Sequence, residues 1–126
     1  MGKLSIIFFA LLLLLAACDT GGGDDPTVVV DKYLKARLAS DVDQLRALSC
    51  ADWESQVILE ADSFRGRDAE LVDVFCEEGK REGDETIVNC NGHIAVVYQG
   101  ENRDFPLKNY RLTQEDGEWK MCGEAN

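Results

Sequence analysis

The chain has few of the residues from which metal and nucleophilic sites are usually built. It contains one histidine, His93, and none of its five cysteines forms a C-x-x-C pair. Zinc sites normally combine several cysteine and histidine ligands at short spacings. The sequence therefore gives little support for a zinc site, and we expect neither a metal ion nor a cofactor.

Basic residues are also scarce. Lysine and arginine number 13 against 24 aspartates and glutamates, which gives a formal net charge of −11. Such a surface repels phosphate backbones and anionic lipid headgroups, so we expect no nucleic acid partner. The acidity is explained most simply by the solubility of an exported protein. Recruitment of a basic partner is the alternative.

The first seventeen residues are almost free of charge. Lys3 is their only charged side chain, and every residue from Leu4 to Ala17 is apolar except Ser5. About 14 helical residues reach roughly 21 Å, whereas the hydrocarbon core of a bilayer is about 30 Å thick. The run is short for a stable transmembrane helix, and the pattern predicts a cleaved signal peptide over residues 1–17.

The apolar run ends in the sequence L-A-A-C at Leu15–Cys18. This string resembles the lipobox of bacterial lipoproteins. The resemblance implies that the Cys18 sulfur carries a diacylglyceryl group, that Cys18 becomes the new N-terminus, and that the protein is anchored on the outer face of the cell membrane. By the same resemblance, Asp19 is associated with the inner membrane in diderm bacteria. An ordinary cysteine behind a conventional signal peptide is the alternative.

The next residues predict a flexible linker followed by one domain. The segment 18–26 is rich in glycine and aspartate and has no large apolar side chain. Such a segment behaves as a flexible coil, which would hold the domain near the bilayer but leave it free to turn. The remaining residues, 27–126, are enough for one compact domain with a single core.

The first half of this domain has the apolar spacing of helices. Asp25 can cap a helix with Pro26 at its first position. Ser40 is predicted to open a second helix. A third, shorter helix is predicted to run through Trp53 and Val57, with Ile58 as a further apolar position, up to a turn near Gly66. The apolar positions of the first two helices are Val29, Val30, Tyr33, Leu34, Leu38, Val42, Leu45 and Leu48.

After Arg67 the apolar period changes towards two, which is typical of strands. About four strands are predicted, with turns near Gly83, at 100–102 and near Gly117. Pro106 lacks an amide donor, so its strand is either an edge strand or bulged there. The predicted fold class is α+β, with about three N-terminal helices packed on a curved antiparallel sheet of about four strands.

Four cysteines remain once Cys18 is assigned to lipid. An even number in an exported chain suggests two disulfides, and four cysteines allow three pairings. A three-residue loop at 82–84 would pair Arg81 with Glu85, Cys76 with Cys90 and Val72 with Ile94 across the hairpin. Both cysteines then lie on the apolar face of their strands. We therefore predict disulfides between Cys76 and Cys90 and between Cys50 and Cys122.

A helical half with Tyr33-Leu34, followed by an antiparallel sheet that ends in D-G-E-W-K at Asp116–Lys120, resembles the nuclear transport factor 2-like superfamily, and small bacterial lipoproteins that carry such domains in particular. The resemblance covers roughly residues 27–123. It implies a cone in which helices close one face of a bent sheet, often with a pocket in the mouth. A cystatin-like sheet wrapped on a helix is the competing architecture.

Some members of this superfamily are isomerases or dehydratases that use an aspartate or an aspartate/histidine pair inside the cone. Here His93 and Asp73 alternate away from the apolar faces of their strands, so no acid/base pair can be identified. We expect a non-enzymatic domain that binds an envelope protein or a small apolar ligand. An isomerase or dehydratase whose base is a pocket carboxyl of raised pKa is the alternative. Tyr33, Trp53 and Tyr98 are the candidate pocket residues, with a purely structural role in the core as the other explanation.

Overall fold

The computed structural model describes residues 23–126, so the predicted signal peptide, Cys18 and Asp19 lie outside the described residues. The helical half contains α1 (Pro26–Leu38), α2 (Val42–Leu48), a 3₁₀ helix (Ala51–Gln56) and α3 (Val57–Asp62). No helix within 23–126 is both long and apolar enough to cross a membrane. The predicted helical half is confirmed.

The starts of α1 and α2 agree only in part with the sequence predictions. Pro26 occupies the start of α1 as predicted, although the Asp25 side chain makes no capping hydrogen bond. The prediction that Ser40 opens α2 is wrong: Ser40 has a φ of 55°, and the Asp41 side chain instead accepts a hydrogen bond from the Gln44 amide over 3.0 Å. Ile58 is 52% exposed, which corrects its expected burial.

The sheet has five strands rather than about four. They are β1 (Ala69–Glu82), β2 (Glu85–Tyr98), β3 (Glu101–Pro106), β4 (Asn109–Glu115) and β5 (Glu118–Ala125). The order is β1-β2-β4-β5 with β3 paired to β2, all neighbours are antiparallel, and the sheet is curved and not closed. The strand predicted to run through Pro106 is interrupted at 107–108, where Leu107 donates its amide to the Gly92 carbonyl over 3.0 Å. The preceding turn is at 99–100 instead of 100–102.

The β1–β2 hairpin differs in detail from its predicted register. Its loop has two residues, Gly83 and Asp84, and β1 carries two irregularities, so Arg81 faces Thr86 and Leu71 faces Ile94. The predicted pairs of Arg81 with Glu85 and of Val72 with Ile94 are therefore wrong. Each irregularity places one extra residue in β1, as a β-bulge does. The middle of the hairpin nevertheless has the predicted register, with Cys76 opposite Cys90.

Two disulfides hold the domain together. Cys76 and Cys90 are bonded across β1 and β2 with Cα atoms 4.1 Å apart. Cys50 and Cys122 are bonded with Cα atoms 5.3 Å apart and join the end of the α2 region to β5. These are the two pairs that the sequence predicts, and the second links residues 72 positions apart.

The core lies between α1 and the concave face of the sheet. Its main cluster includes Val30, Leu34, Leu45, Val57, Val88, Leu112 and Met121, each with at most 1% of its surface exposed. Burial of this apolar surface is the principal stabilising contribution in such a domain. A smaller cluster of Phe64, Ile94 and Val96 lies towards the other end of the long strands. The larger cluster therefore fills one end of the cone, and a pocket opens beside the smaller cluster.

Candidate functional site

A pocket of about 470 Å³ opens where α1, α3 and the sheet diverge. This volume is within the usual range for small-molecule sites. We call it the mouth pocket. Its lining residues are Arg37, Ser63, Phe64, Ile94, Phe105, Pro106, Leu107, Lys108, Tyr110 and Glu124.

The apolar wall of the mouth pocket is built from both layers of the domain. Phe64, just after α3, is 7% exposed, and Ile94 on β2 is 2% exposed. Phe105 on β3 meets Phe64 edge to face with ring centroids 6.2 Å apart. Edge-to-face contact is a preferred arrangement of aromatic rings. The wall is therefore a packed surface against which an apolar ligand can lie.

Arg37 is held in place by three contacts. Its Nε lies 3.2 Å from Glu60 Oε2, its Nη2 lies 3.4 Å from Ser63 Oγ, and its guanidinium carbon lies 5.1 Å from the centre of the Phe64 ring. The Nε position is off the line for a hydrogen bond to any described residue, so the contact with Glu60 is an ion pair. A planar guanidinium fixed in this way keeps other N–H groups free to face the pocket.

A chain of hydrogen-bonded side chains that do not line the pocket leads to Glu60, the ion-pair partner of Arg37. Trp53 Nε1 donates to the Tyr33 hydroxyl over 2.8 Å, and that hydroxyl donates to Glu60 Oε2 at 3.3 Å. Burial raises the pKa of Glu60, and the Arg37 guanidinium only partly offsets this. Burial and the neighbouring Glu60 carboxylate also raise the pKa of Tyr33, so Tyr33 keeps its proton and donates it.

The rim of the mouth pocket is polar. Tyr110 is 4% exposed, and its hydroxyl accepts a hydrogen bond from the Lys108 amide over 3.4 Å. Burial raises the pKa of Tyr110, which keeps the hydroxyl protonated. Lys108 and Glu124 add one charge of each sign. The pocket therefore presents two cations, one hydroxyl donor and one carboxylate around an apolar wall.

The structure separates the three aromatic residues suggested for the pocket. Tyr33 is 2% exposed and bonded to Trp53, and neither of them lines the mouth pocket. The edge of the Trp53 ring lies against Gly123 of β5, where a Cβ would come within 3.3 Å of the ring. Tyr98 borders an adjoining cleft. Tyr33 and Trp53 thus support Arg37 and Glu60 from within the fold.

The residues weighed for catalysis lie elsewhere. His93 has its Nε2 3.5 Å from Asp104 Oδ1 and does not line the mouth pocket. Asp73 is exposed at a β1 irregularity with a φ of 51°. Within residues 23–126, no group of three or more histidine, cysteine, aspartate or glutamate side chains is placed to hold a metal ion.

A larger depression of about 680 Å³ borders the start of β1 and the strands beside it. No helix residue lines it, and its lining includes three carboxylates, those of Asp68, Glu70 and Asp104. Ligand sites are usually concave and mainly apolar. The mouth pocket, which has walls from two layers, fits that description better.

Sequence reasoning did not identify Arg37, Lys108, Tyr110 or Glu124 as site residues. One signal for Arg37 was present: it follows Tyr33 by four positions, so the two side chains share a helix face. The other three meet only through pairing of the last strands, where Tyr110 faces Glu124. A sequence pattern alone does not fix that register.

Neither a protein-family profile nor any curated protein sequence matches this chain. Solved structures do match it. A nuclear transport factor 2-like protein of unknown function in nutrient uptake from Rhodospirillum rubrum has a TM-score of 0.57 at 19% identity, covering 79% of this chain and 95% of that one. A nuclear transport factor 2-like protein from Cytophaga hutchinsonii has a TM-score of 0.55 at 21% identity, with the same coverage.

A proposed ketosteroid isomerase from Shewanella frigidimarina also matches, with a TM-score of 0.56 at 17% identity, covering 76% of this chain and 89% of that one. At such identities the likeness shows the fold alone. The chain is thus an α+β cone with a pocket at its mouth. Its fold is nuclear transport factor 2-like, as the sequence predicts.

Proposed function

We propose that this protein is an exported, lipid-anchored lipoprotein whose domain binds a small molecule in the mouth pocket without transforming it. The pocket itself carries the proposal. It combines an apolar wall from Phe64 and Ile94 with fixed polar groups from Arg37 and Tyr110, which is the usual composition of a ligand site. The Glu60 carboxylate contacts Arg37 and Tyr33, and Glu60 does not line the pocket.

The tether would present this pocket to the aqueous side. Gly23 lies beside Glu118 at the start of β5, whereas Arg37 and Glu124 lie near the opposite ends of α1 and β5. A helix of 13 residues spans roughly 20 Å. If Cys18 is the lipid anchor, the mouth pocket opens at the end of the domain away from the tether. This arrangement favours a ligand taken from the surrounding solution.

A neutral fluorophore tests ligand binding. N-phenylnaphthylamine brightens in apolar surroundings, and we expect a saturable rise in its fluorescence with the purified domain. Ser63→Trp, which places an indole ring in the mouth pocket, should strongly reduce the rise. Ser55→Trp on the exposed 3₁₀ helix is the matched control and should leave it unchanged. A linear, unsaturable signal, or an equal effect of the two variants, would contradict the proposed binding function.

The lipid anchor is tested separately in cells. The intact protein should incorporate labelled fatty acid and fractionate with membranes, because two or more acyl chains on one residue give stable anchoring. Cys18→Ala should remove both properties. Continued lipid incorporation by Cys18→Ala would show that the anchor assignment is wrong.

One observation favours a second candidate, an isomerase or dehydratase. Burial raises the pKa of Glu60, and a carboxyl of raised pKa beside a pocket can serve as a general base. Turnover of small ketones or hydroxy acids that is lost in Glu60→Gln but kept in Glu54→Gln would support an enzyme. The binding proposal expects no turnover with either protein.

A further inference from the structure

The mouth pocket continues into a second cleft of about 180 Å³. The two share Ser63, Phe64 and Phe105, so they form one surface. The second cleft adds Arg67, Val96 and Tyr98 to the lining. We call the combined surface the extended groove. Its shape suits an elongated molecule better than a round one.

The charge of the extended groove is opposite to that of the whole protein. Its lining contains three cations, Arg37, Lys108 and Arg67, and one carboxylate, Glu124. The chain as a whole has a net charge of −11. Arg37 is paired with Glu60, so the remaining positive charge of the groove comes from Lys108 and Arg67. Because acidic residues outnumber basic ones almost two to one overall, this local excess of positive charge suits an anion.

The Tyr98 end of the groove concentrates this charge. The Arg67 guanidinium carbon lies 4.1 Å from the centre of the Tyr98 ring, and that of Arg103 lies 5.2 Å from it. Stacking on an aromatic face leaves the edge N–H groups of a guanidinium free to form a bidentate contact with an anion. Arg103 is paired with Glu101, with Nη2 3.9 Å from Oε2, and lines neither cleft, so Arg67 is the arginine whose donors face the groove at Tyr98.

Arg67 differs from its neighbour Arg65 in its partners. Arg65 Nε lies 2.8 Å from Asp62 Oδ1. No carboxylate of residues 23–126 lies within 4.0 Å of Arg67, although Asp68 follows it directly in the chain. Arg65 does not line the groove, whereas Arg67 does. The pair therefore offers a charged site residue and a matched control two positions away.

We propose that the extended groove binds an elongated small molecule with an apolar body and one anionic head group. The head group lies beside Arg67 at Tyr98, and the body runs past Phe64 and Phe105 into the mouth pocket. This inference rests on the proposed binding function and adds the chemical class of the ligand. A carboxylate and a phosphate share the required chemistry.

A series of ligands with the same ten-carbon chain separates the contribution of the anionic head group from that of the apolar body. Decanoate, decyl phosphate, decanol and decylamine, each below its aggregation threshold, are used to displace N-phenylnaphthylamine from the purified domain. We expect at least one of the two anions to bind about tenfold more tightly than decanol and decylamine to bind most weakly. The anion that binds more tightly identifies the head group. Its advantage over decanol should shrink as salt increases, because exposed charges are screened.

Substitution of Arg67 and of its neighbour Arg65 tests where the head group binds. Arg67→Gln should weaken binding of the preferred anion about three- to fivefold and leave decanol unchanged, whereas Arg65→Gln should change neither. Both arginines are exposed, so neither substitution should impair folding. If decanol binds as tightly as both anions, or if the two variants weaken anion binding equally, the anionic ligand class is overturned while the mouth pocket stands. If none of the four compounds displaces the fluorophore and Ser63→Trp has no effect on the fluorophore, the proposed binding function falls as well.

Discussion

Trp53 donates a hydrogen bond from its indole nitrogen to the Tyr33 hydroxyl over 2.8 Å. Because that hydroxyl also contacts Glu60, which pairs with Arg37, the two aromatic residues connect the 3₁₀ helix to the polar side of the mouth pocket. The position of the Arg37 guanidinium therefore depends on residues that do not line the mouth pocket.

Removal of the Tyr33 hydroxyl should be costly for stability. Tyr33→Phe leaves the half-buried Trp53 N–H without its acceptor and Glu60 without a donor, and we expect the free energy of unfolding to fall by about 1–2 kcal/mol. Urea denaturation followed by tryptophan fluorescence measures this. Tyr98→Phe is the control, because the Tyr98 hydroxyl forms no hydrogen bond with residues 23–126, and it should cost less than about 0.5 kcal/mol. Equal losses in the two variants would contradict a supporting role for the Tyr33 hydroxyl.

The raised pKa of Glu60 makes stability depend on pH. Its ordinary value is 4.5, and burial raises it in the folded protein. The folded state therefore keeps this proton at pH values where the unfolded chain has lost it. The resulting stabilisation is fully present below the unfolded pKa and is lost as pH rises through the folded pKa.

Glu60→Gln should remove that dependence. The free energy of unfolding of the wild type, relative to that of Glu60→Gln, should decrease as pH rises from the unfolded pKa through the raised folded pKa, because glutamine resembles the protonated carboxyl at every pH. Urea denaturation across this range gives the difference. Glu54→Gln changes an exposed carboxylate in the preceding 3₁₀ helix and shows the background. A difference that grows with pH would mean that the ion pair with Arg37 outweighs burial.

The two disulfides should contribute unequally. The Cys76–Cys90 bond closes a loop of about 15 residues and the Cys50–Cys122 bond one of about 73. Chain-entropy estimates give about 3 and about 4.4 kcal/mol. We expect the Cys50→Ser/Cys122→Ser double variant to lose more stability than Cys76→Ser/Cys90→Ser in urea denaturation. Peptide mapping without reduction checks the pairing, and a peptide linking Cys50 to Cys76 or Cys90 would refute it.

The Cys76–Cys90 pair shows how far the sequence determines the sheet. Period-two alternation placed both cysteines on one face, and the structure agrees. The assumed three-residue loop is wrong, because a two-residue loop and one extra residue in β1 give the same offset at Cys76. On the other side of Cys76 from the loop, β1 contains a second extra residue. The partner of Ile94 is therefore Leu71 instead of Val72. A bulge depends on contacts across the strands, so apolar spacing alone does not reveal it.

The candidate site was less accessible to prediction than the fold. Apolar periodicity identifies α1 and its buried face because burial of that face is what stabilises the helix. The polar residues of the mouth pocket do not recur at a regular spacing in the sequence. Lys108 follows a strand break at Pro106, and Glu124 reaches the pocket only through its pairing with Tyr110. Their positions depend on tertiary register.

Gly92 is the position at which the hairpin should tolerate substitution least. It lies opposite the first irregularity of β1 with a φ of 101°, and a Cβ there would come within 2.6 Å of the Asp73 carbonyl oxygen and 2.7 Å of the Val72 carbonyl oxygen. Both atoms belong to the backbone, which cannot move aside without disturbing the strand pairing. We expect Gly92→Ala to lower the free energy of unfolding by more than about 2 kcal/mol.

Gly100→Ala separates crowding from backbone strain. Gly100 also has a positive φ, 79°, but no atom lies within 4 Å of where its Cβ would be. Its substitution should therefore cost only about 1 kcal/mol, the strain of an L-residue in the left-handed region. Urea denaturation of both variants gives the comparison. If the two losses are equal, positive φ alone sets the cost, and the backbone at Val72 and Asp73 must be able to shift away from Gly92.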